Sequence, residues 1–215
     1  MTEKPQGFRK KIENFWYHYK IVVFIVLFFA FSATYLLIDV IQKQNPDMVL
    51  AYVSDTYGDE SQFARAEDAI SAIIGDINGD GTVKLNYRMM AIRDQNLLSY
   101  DVDREQGFNY SFLDKNVRLY IIKDIFFEDK KLFFEPLEGL VSEESLAGGL
   151  TNEDGEICAV PLAGKPVAET MDFSRPELYV GIKRIMDTEK HDKLVYTQHE
   201  KAKEVLKYIV EGETE

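Results

Sequence analysis

A single cysteine, Cys158, among 215 residues rules out an intramolecular disulfide and with it the small disulfide-stapled folds common among secreted proteins. The chain has no G-x-S-x-G, S-x-x-K, H-E-x-x-H or P-loop pattern, so the common hydrolase, metalloprotease and nucleotide-binding signatures are missing. It has no internal repeat and no low-complexity tract. Charge is missing altogether from Ile21 to Ile38, IVVFIVLFFAFSATYLLI, where only Ser32, Thr34 and Tyr35 carry any polarity.

A helix of that length covers the ~30 Å hydrocarbon core of a bilayer at about 1.5 Å per residue. It also lacks the polar face that a buried core helix normally keeps. Residues 21–41 are therefore expected to form a transmembrane helix in contact with the lipid bilayer. Trp16, Tyr17 and Tyr19 precede the run as an interfacial belt. Lys4, Arg9, Lys10, Lys11 and Lys20 outnumber Glu3 and Glu13 before it, and Lys43 is the one basic residue in the stretch that follows, up to Ser54. The positive-inside rule then puts the N-terminus in the cytoplasm and the rest of the chain outside. A cleavable signal peptide would have a shorter apolar core, about 7–15 residues, and a small-x-small site. The exit here reads LLIDVIQKQNPD, which favours an uncleaved signal anchor. The expected division is a basic cytoplasmic segment over 1–20, the span over 21–41, a linker over 42–47 and one extracytoplasmic domain over 48–215, in a single-pass protein of the cell membrane.

Residues 1–38 hold five basic and two acidic side chains, so of the chain's net −12 the remainder carries −15. Such a field repels phosphate backbones, which argues against nucleic acid as a partner and favours cations or basic surfaces. The acidity also serves simply to keep an exposed domain soluble.

The outer part alternates strand-like and helix-like stretches. Asp47 to Ser54 is apolar on both faces, as a central strand should be. Phe63, Ala66, Ile70, Ile73, Ile74 and Ile77 recur at helical spacing after the turn Asp55-Thr56-Tyr57-Gly58. Val83 to Ile92 reads as the next strand, completing a strand-helix-strand unit. Gln95 to Asn109 reads as an irregular connection with at most a short helix near Leu97 to Val102. Asn116 to Asp124 is the clearest strand and is expected to lie centrally. Gly155 to Leu162 and Leu178 to Met186 give two further strands, and Ala202, Val205, Leu206, Ile209 and Val210 a closing helix ended at Glu211-Gly212. The expected class is α/β, with a mixed, mostly parallel sheet flanked by helices.

The sharpest local motif is Asp76-Ile77-Asn78-Gly79-Asp80-Gly81-Thr82-Val83. It matches the opening of an EF-hand calcium loop, in which oxygens recur at alternate positions and a glycine permits the sharp turn. Asp76, Asn78, Asp80 and Thr82, the last through its carbonyl, are the candidate ligands, and Ca2+ is the one cofactor suggested. The twelfth position is Tyr87 where a bidentate glutamate belongs, and a strand follows instead of a second helix. The alternative reading is a plain helix-to-strand turn, and any bound ion is expected to brace the fold rather than to catalyse. Cys158 with His191 or His199 would be a thiol and its base, but Cys158 lies in an apolar strand where a thiol is inert, and both histidines lie in charged stretches. No catalytic residue is assigned. The pairs Phe126-Phe127 and Phe133-Phe134 read as core, with a ligand cleft as the alternative.

Phe15-Trp16-Tyr17-His18-Tyr19-Lys20 running into the span, the Asn78-Gly79-Asp80-Gly81 loop, the strand Leu119-Tyr120-Ile121-Ile122 and the late Leu178-Tyr179-Val180-Gly181-Ile182-Lys183-Arg184 occur in an order that resembles uncharacterised single-pass membrane proteins of Gram-positive bacteria. The outer domain is distantly similar to one lobe of extracytoplasmic solute-binding proteins. The resemblance implies topology and fold and carries no activity. The expected function is thus a membrane-anchored binding or accessory module, beside a transporter or other membrane or envelope proteins, with a surface hydrolase using an acidic site and a purely structural anchor as alternatives.

Overall fold

The computed structural model describes residues 7–44, 46–56, 58–92 and 102–212. Two compact units divide at Asn45/Pro46. The first is the helix α1, Phe8–Gln44. Its most apolar 18-residue stretch, within Ile12–Leu37, has a mean hydropathy of 2.3 and no residue buried, so the helix is long and apolar enough to cross a membrane.

The second unit is an α/β domain. Its strands are β1 Met48–Ser54, β2 Leu85–Ala91, β3 Val117–Lys123, β4 Leu150–Thr151, β5 Ile157–Pro161 and β6 Leu178–Ile182. Its helices are α2 Ala64–Ile74, α3 Val102–Ser111, α4 Asp124–Phe127, α5 Glu143–Leu146, α6 Pro166–Thr170 and α7 Lys193–Glu211. The strands form one sheet in the order β2-β1-β3-β6-β5-β4.

The sheet is mixed but mostly antiparallel, which corrects the mostly parallel sheet expected from the alternating elements. β1 pairs parallel with β2 and with β3, whereas β3–β6, β6–β5 and β5–β4 are antiparallel. β1 reaches its neighbour β2 through α2 and runs parallel to it, whereas β5 reaches its neighbour β6 through residues 162–177 and α6 and still returns antiparallel. β4 and β5 are joined by residues 152–156, too few for the crossover that parallel strands need. Asn152 closes that turn by accepting from the Asp154 and Glu156 amides.

All seven residues of β1 are buried, and alternate ones feed opposite faces. Met48, Leu50 and Tyr52 join the larger apolar cluster with α2, α6 and α7. Val49, Ala51 and Val53 join the smaller, aromatic one with Phe108, Phe112, Phe127 and Phe134. β3 is central, as expected, but its alternation is broken. The register against β1 slips between Val49↔Val117 and Leu50↔Leu119, so that Val117 faces the aromatic cluster and Leu119 the larger one. The extra residue is Arg118, and a bulge of this kind re-aims a side chain.

The closing helix starts at Lys193, earlier than the apolar spacing predicts. Asp192 caps it by accepting from the Leu194 and Val195 amides, and Gly212 ends it in the left-handed region. Its first half buries Gln198 and His199, which carry no apolar period. α3 lies C-terminal to the short helix expected near Leu97 to Val102; residues 93–101 of that connection, like Tyr57 of the first turn, lie outside the described residues. α3 contributes Phe108 to the core, with Phe112 just past its end, too few positions to mark a helical period. β6 is shorter than the expected run to Met186; past Ile182 an isolated bridge between Lys183 and Phe134 follows.

Arg118 and Lys183 are both fully buried, beside Glu189. Arg118 Nη2 lies 3.0 Å and Lys183 Nζ 3.5 Å from Glu189 Oε1. Lys183 Nζ also donates to the carbonyls of Phe112 and Asp114, and Arg118 Nε to that of Lys115. One carboxylate thus ties the loop before α7 to β3 and β6. Although burial opposes it, the Met186 amide, Arg118 and Lys183 hold the Glu189 carboxyl below its usual range. Burial, and then the Arg118 charge, pushes Lys183 from 10.5 down to about 8. Between those two values the unfolded chain holds a proton that the folded chain does not, so this group makes stability rise with pH across that window.

Glu189→Ala leaves two buried cations without a counter-charge and should cost about 3–5 kcal/mol in urea denaturation at pH 7; a loss no larger than that of an exposed ion pair, under about 1 kcal/mol, would show that the cluster does not hold the loop. From pH 7 to 10 the wild type should gain stability relative to Lys183→Met, which lacks the titrating group. Parallel curves would show that Lys183 keeps its proton throughout.

Candidate functional site

The structure places the four predicted ligand residues together in the turn between α2 and β2, but turns their oxygens onto the loop's own hydrogens. Asp76 Oδ1 accepts from the Gly79 and Asp80 amides at 2.7 and 3.1 Å, and its Oδ2 from the Gly81 amide at 2.8 Å. Asn78 Oδ1 accepts from the Asp80 amide. Asp80 Oδ1 accepts from both the amide and the hydroxyl of Thr82, while its Oδ2 takes the Lys84 ammonium at 2.5 Å. Lys84, then Thr82, hold the Asp80 carboxyl far below the ordinary carboxylate range. Lys84 is the ninth position of the calcium pattern, so an internal ammonium stands against the oxygens that a cation would use. No group of three or more His, Cys, Asp and Glu able to hold a metal occurs among the described residues. A calcium ion fits this donor set only if Lys84 leaves.

The loop is braced from outside by Asp47, a fully buried residue that falls in the stretch read as linker. Its Oδ1 accepts from the Ile77 and Asn78 amides at 2.8 and 3.0 Å, and its Oδ2 from the Lys84 amide at 2.7 Å. Its own amide donates to the Lys84 carbonyl, and its carbonyl accepts from Gln198 Nε2. The signal for this is faint in sequence: an acid just ahead of an apolar strand, some thirty residues from the amides it serves.

A second cluster, absent from the sequence reading, lies at the carboxyl ends of the parallel strands. β1 leads to α2, which packs into the larger cluster, while β3 leads directly to α4, whose Phe127 packs into the aromatic one. The chain thus leaves two adjacent parallel strands toward opposite faces, the topology that opens a crevice in α/β sheets. Ser54 and Asp55 end β1, and Lys123 ends β3. Lys123 Nζ meets Asp55 Oδ2 at 2.5 Å, Ser54 Oγ donates to Asp55 Oδ1 at 3.2 Å, and the Ser54 and Thr56 hydroxyls lie 3.3 Å apart. The Lys123 hydrogen bond holds the Asp55 carboxyl low, and Asp55 in turn holds the Lys123 ammonium high. An acid, a base and two hydroxyls gathered there can hold a small polar group. Each of these residues is ordinary in sequence; the pairing of positions 55 and 123 is what makes the cluster, and only the sheet supplies it.

Cys158 and His199 are not brought together by any hydrogen bond. Cys158 is buried and its thiol is pushed up to about 11 by burial. His199, expected in a charged and solvated stretch, is instead buried, with Nε2 2.9 Å from Glu135 Oε2. An open cleft of about 400 Å³ between α2 and the amino end of β2 is lined by Glu67, Leu85, Asn86 and Tyr87. The carboxyls that their surroundings shift, Asp55, Asp80, Asp187, Glu189 and Asp192, all move down, the opposite of what a general acid needs at neutral pH. Phe127 and Phe134 are core, as read.

No family model, curated protein or solved structure matches the chain.

Asp47→Ala strands three amides and should destabilise the 46–215 unit by about 3 kcal/mol in chemical denaturation. Millimolar calcium should leave the melting temperature of that unit unchanged, while Lys84→Met should introduce a calcium-dependent rise. A rise in the parent that is lost in Asp76→Ala/Asp80→Ala would instead make the loop a metal site as it stands.

Proposed function

We propose that this chain is a single-pass membrane protein, with its basic N-terminal segment in the cytoplasm and its acidic α/β domain outside the cell, acting as a binding or accessory module beside other membrane or envelope proteins. The observation that carries the reading is α1: from Ile21 to Leu37 it is uncharged, and the helix is uncovered, with Phe28, Phe29, Phe31 and Tyr35 each about two-thirds or more exposed. Water does not tolerate an apolar surface of that extent, and a bilayer covers it completely. The excess of basic side chains ahead of the span supports the orientation. The binding role is supported by the polar cluster where β1 and β3 part, and Asp55 and Lys123 are the residues that would engage a small polar solute there. Calcium at Asp76, Asn78, Asp80 and Thr82 would brace the α2–β2 turn only where the Lys84 ammonium is withdrawn from Asp80, as in Lys84→Met.

The full chain should stay with membranes through alkaline carbonate extraction, and protease added outside cells should digest the domain; release by carbonate would overturn the anchor, and protection from external protease the orientation. A thermal-shift screen of polar solutes against the 46–215 unit should yield stabilisation that Asp55→Asn and Lys123→Met both abolish. Stabilisation that survives both changes would move the site elsewhere.

A further inference from the structure

Among the described residues, the face of the sheet that carries the aromatic cluster is thinly covered. The opposite face packs against α2, α6 and the long α7, whereas the helical residues α3 and α4 give to the aromatic cluster are Phe108, Phe126 and Phe127, with Phe112 and Phe133 close by. α3 meets the α4 turn along a seam of rings. Phe108 and Phe126 lie 6.2 Å apart, Phe112 and Phe133 5.0 Å, and Lys130 Nζ stands 5.7 Å over the Phe108 ring. Around that seam four large apolar side chains point outward: Tyr110 and Leu113 are 64% and 67% exposed, Ile125 and Leu132 56% and 61%. They stand two to a side, and each leucine is next in sequence to a ring of the 5.0 Å pair.

From this surface we infer that the domain rests its aromatic face on a lipid bilayer, with Tyr110, Leu113, Ile125 and Leu132 entering the headgroup–acyl boundary. The inference rests on the reading of α1 as a membrane span. Three residues separate the last helical residue, Gln44, from the first strand residue, Met48, so a domain tethered in that way meets a bilayer at high effective concentration. Charge selects the same occupant. Apart from the buried Arg118, residues 108–133 carry four basic and four acidic side chains, while residues 46–215 as a whole carry an excess of fifteen acidic ones. Over most of its surface the domain is repelled by anionic lipid; over this stretch it is not. The residue types also suit an interface, since a tyrosine and the lysines Lys130 and Lys131 combine apolar bodies with polar tips that remain in water.

The test uses the full chain in phosphatidylcholine nanodiscs and in nanodiscs that also contain phosphatidylglycerol, with a spin label carried on a lipid. The methyl resonances of Leu113 and Leu132 should broaden while that of Leu206, buried on the opposite face, stays sharp. In flotation with vesicles of the same compositions, partition of the 46–215 unit should fall on the order of tenfold for each leucine in Leu113→Ser/Leu132→Ser, with its melting temperature kept. Equal broadening of Leu113, Leu132 and Leu206 overturns the inference. So does protection of the two leucines that depends on protein concentration without lipid, which would assign the face to a second copy of the chain. Loss of the full chain from membranes on carbonate extraction would instead overturn the anchor itself, so the two failures are separable.

Discussion

One buried carboxylate holds the start of the domain together. Asp47 accepts from three backbone amides of the α2–β2 turn, and its own backbone joins Lys84 and Gln198. A buried charge is tolerated only where such partners are supplied, and amides fixed by a turn supply them without further ordering. The start of β1, the turn, the start of β2 and the first half of α7 thus converge on a single side chain. The order of the Gly-Asp-Gly loop follows from this bracing and from its own acids, with the Lys84 ammonium supplying the positive charge.

The second constraint lies across the sheet. The bulge at Arg118 reverses the alternation of β3 and brings the guanidinium to Glu189, where Lys183 joins it. The cluster carries an excess positive charge inside a domain whose surface is acidic. It ties the loop before α7 to the strands. Gly181 belongs to the same economy of space: a Cβ there would stand 2.8 Å from the Cys158 carbonyl and 2.9 Å from the Phe134 ring, so the strand passes closely beneath the aromatic cluster because that residue has no side chain.

The two faces of the sheet differ in how they are covered, and the proposed function follows that difference. The face under α2, α6 and α7 is closed by aliphatic side chains. The aromatic face is closed by rings and leaves large apolar groups in solvent. The proposed bilayer contact rests on the second of these faces, and the proposed solute contact on Asp55 and Lys123, where β1 and β3 part.

Much of this was legible in the chain itself. The uncharged run from Ile21 to Ile38, the fully apolar β1 and β3, the spacing of Ala66, Ile70 and Ile74, and the stop at Gly212 are local signals, because burial on both faces, helical period and capping are each written within a few neighbouring residues. The resemblance to the Gly-Asp-Gly calcium loop was legible too, but the ammonium set against it was not, since nothing in sequence says where the Lys84 side chain turns. Strand direction was misjudged because alternation of strand and helix does not fix it: β5 and β6 are joined through α6 and still run antiparallel, and the return of β6 between β3 and β5 is a long-range pairing with no local mark. Asp47 with its distant amides, Arg118 and Lys183 on Glu189, and Asp55 against Lys123 were decided by tertiary structure alone. Each joins residues far apart in the chain, and the free energy of such a contact depends on a geometry that exists only once the sheet has formed.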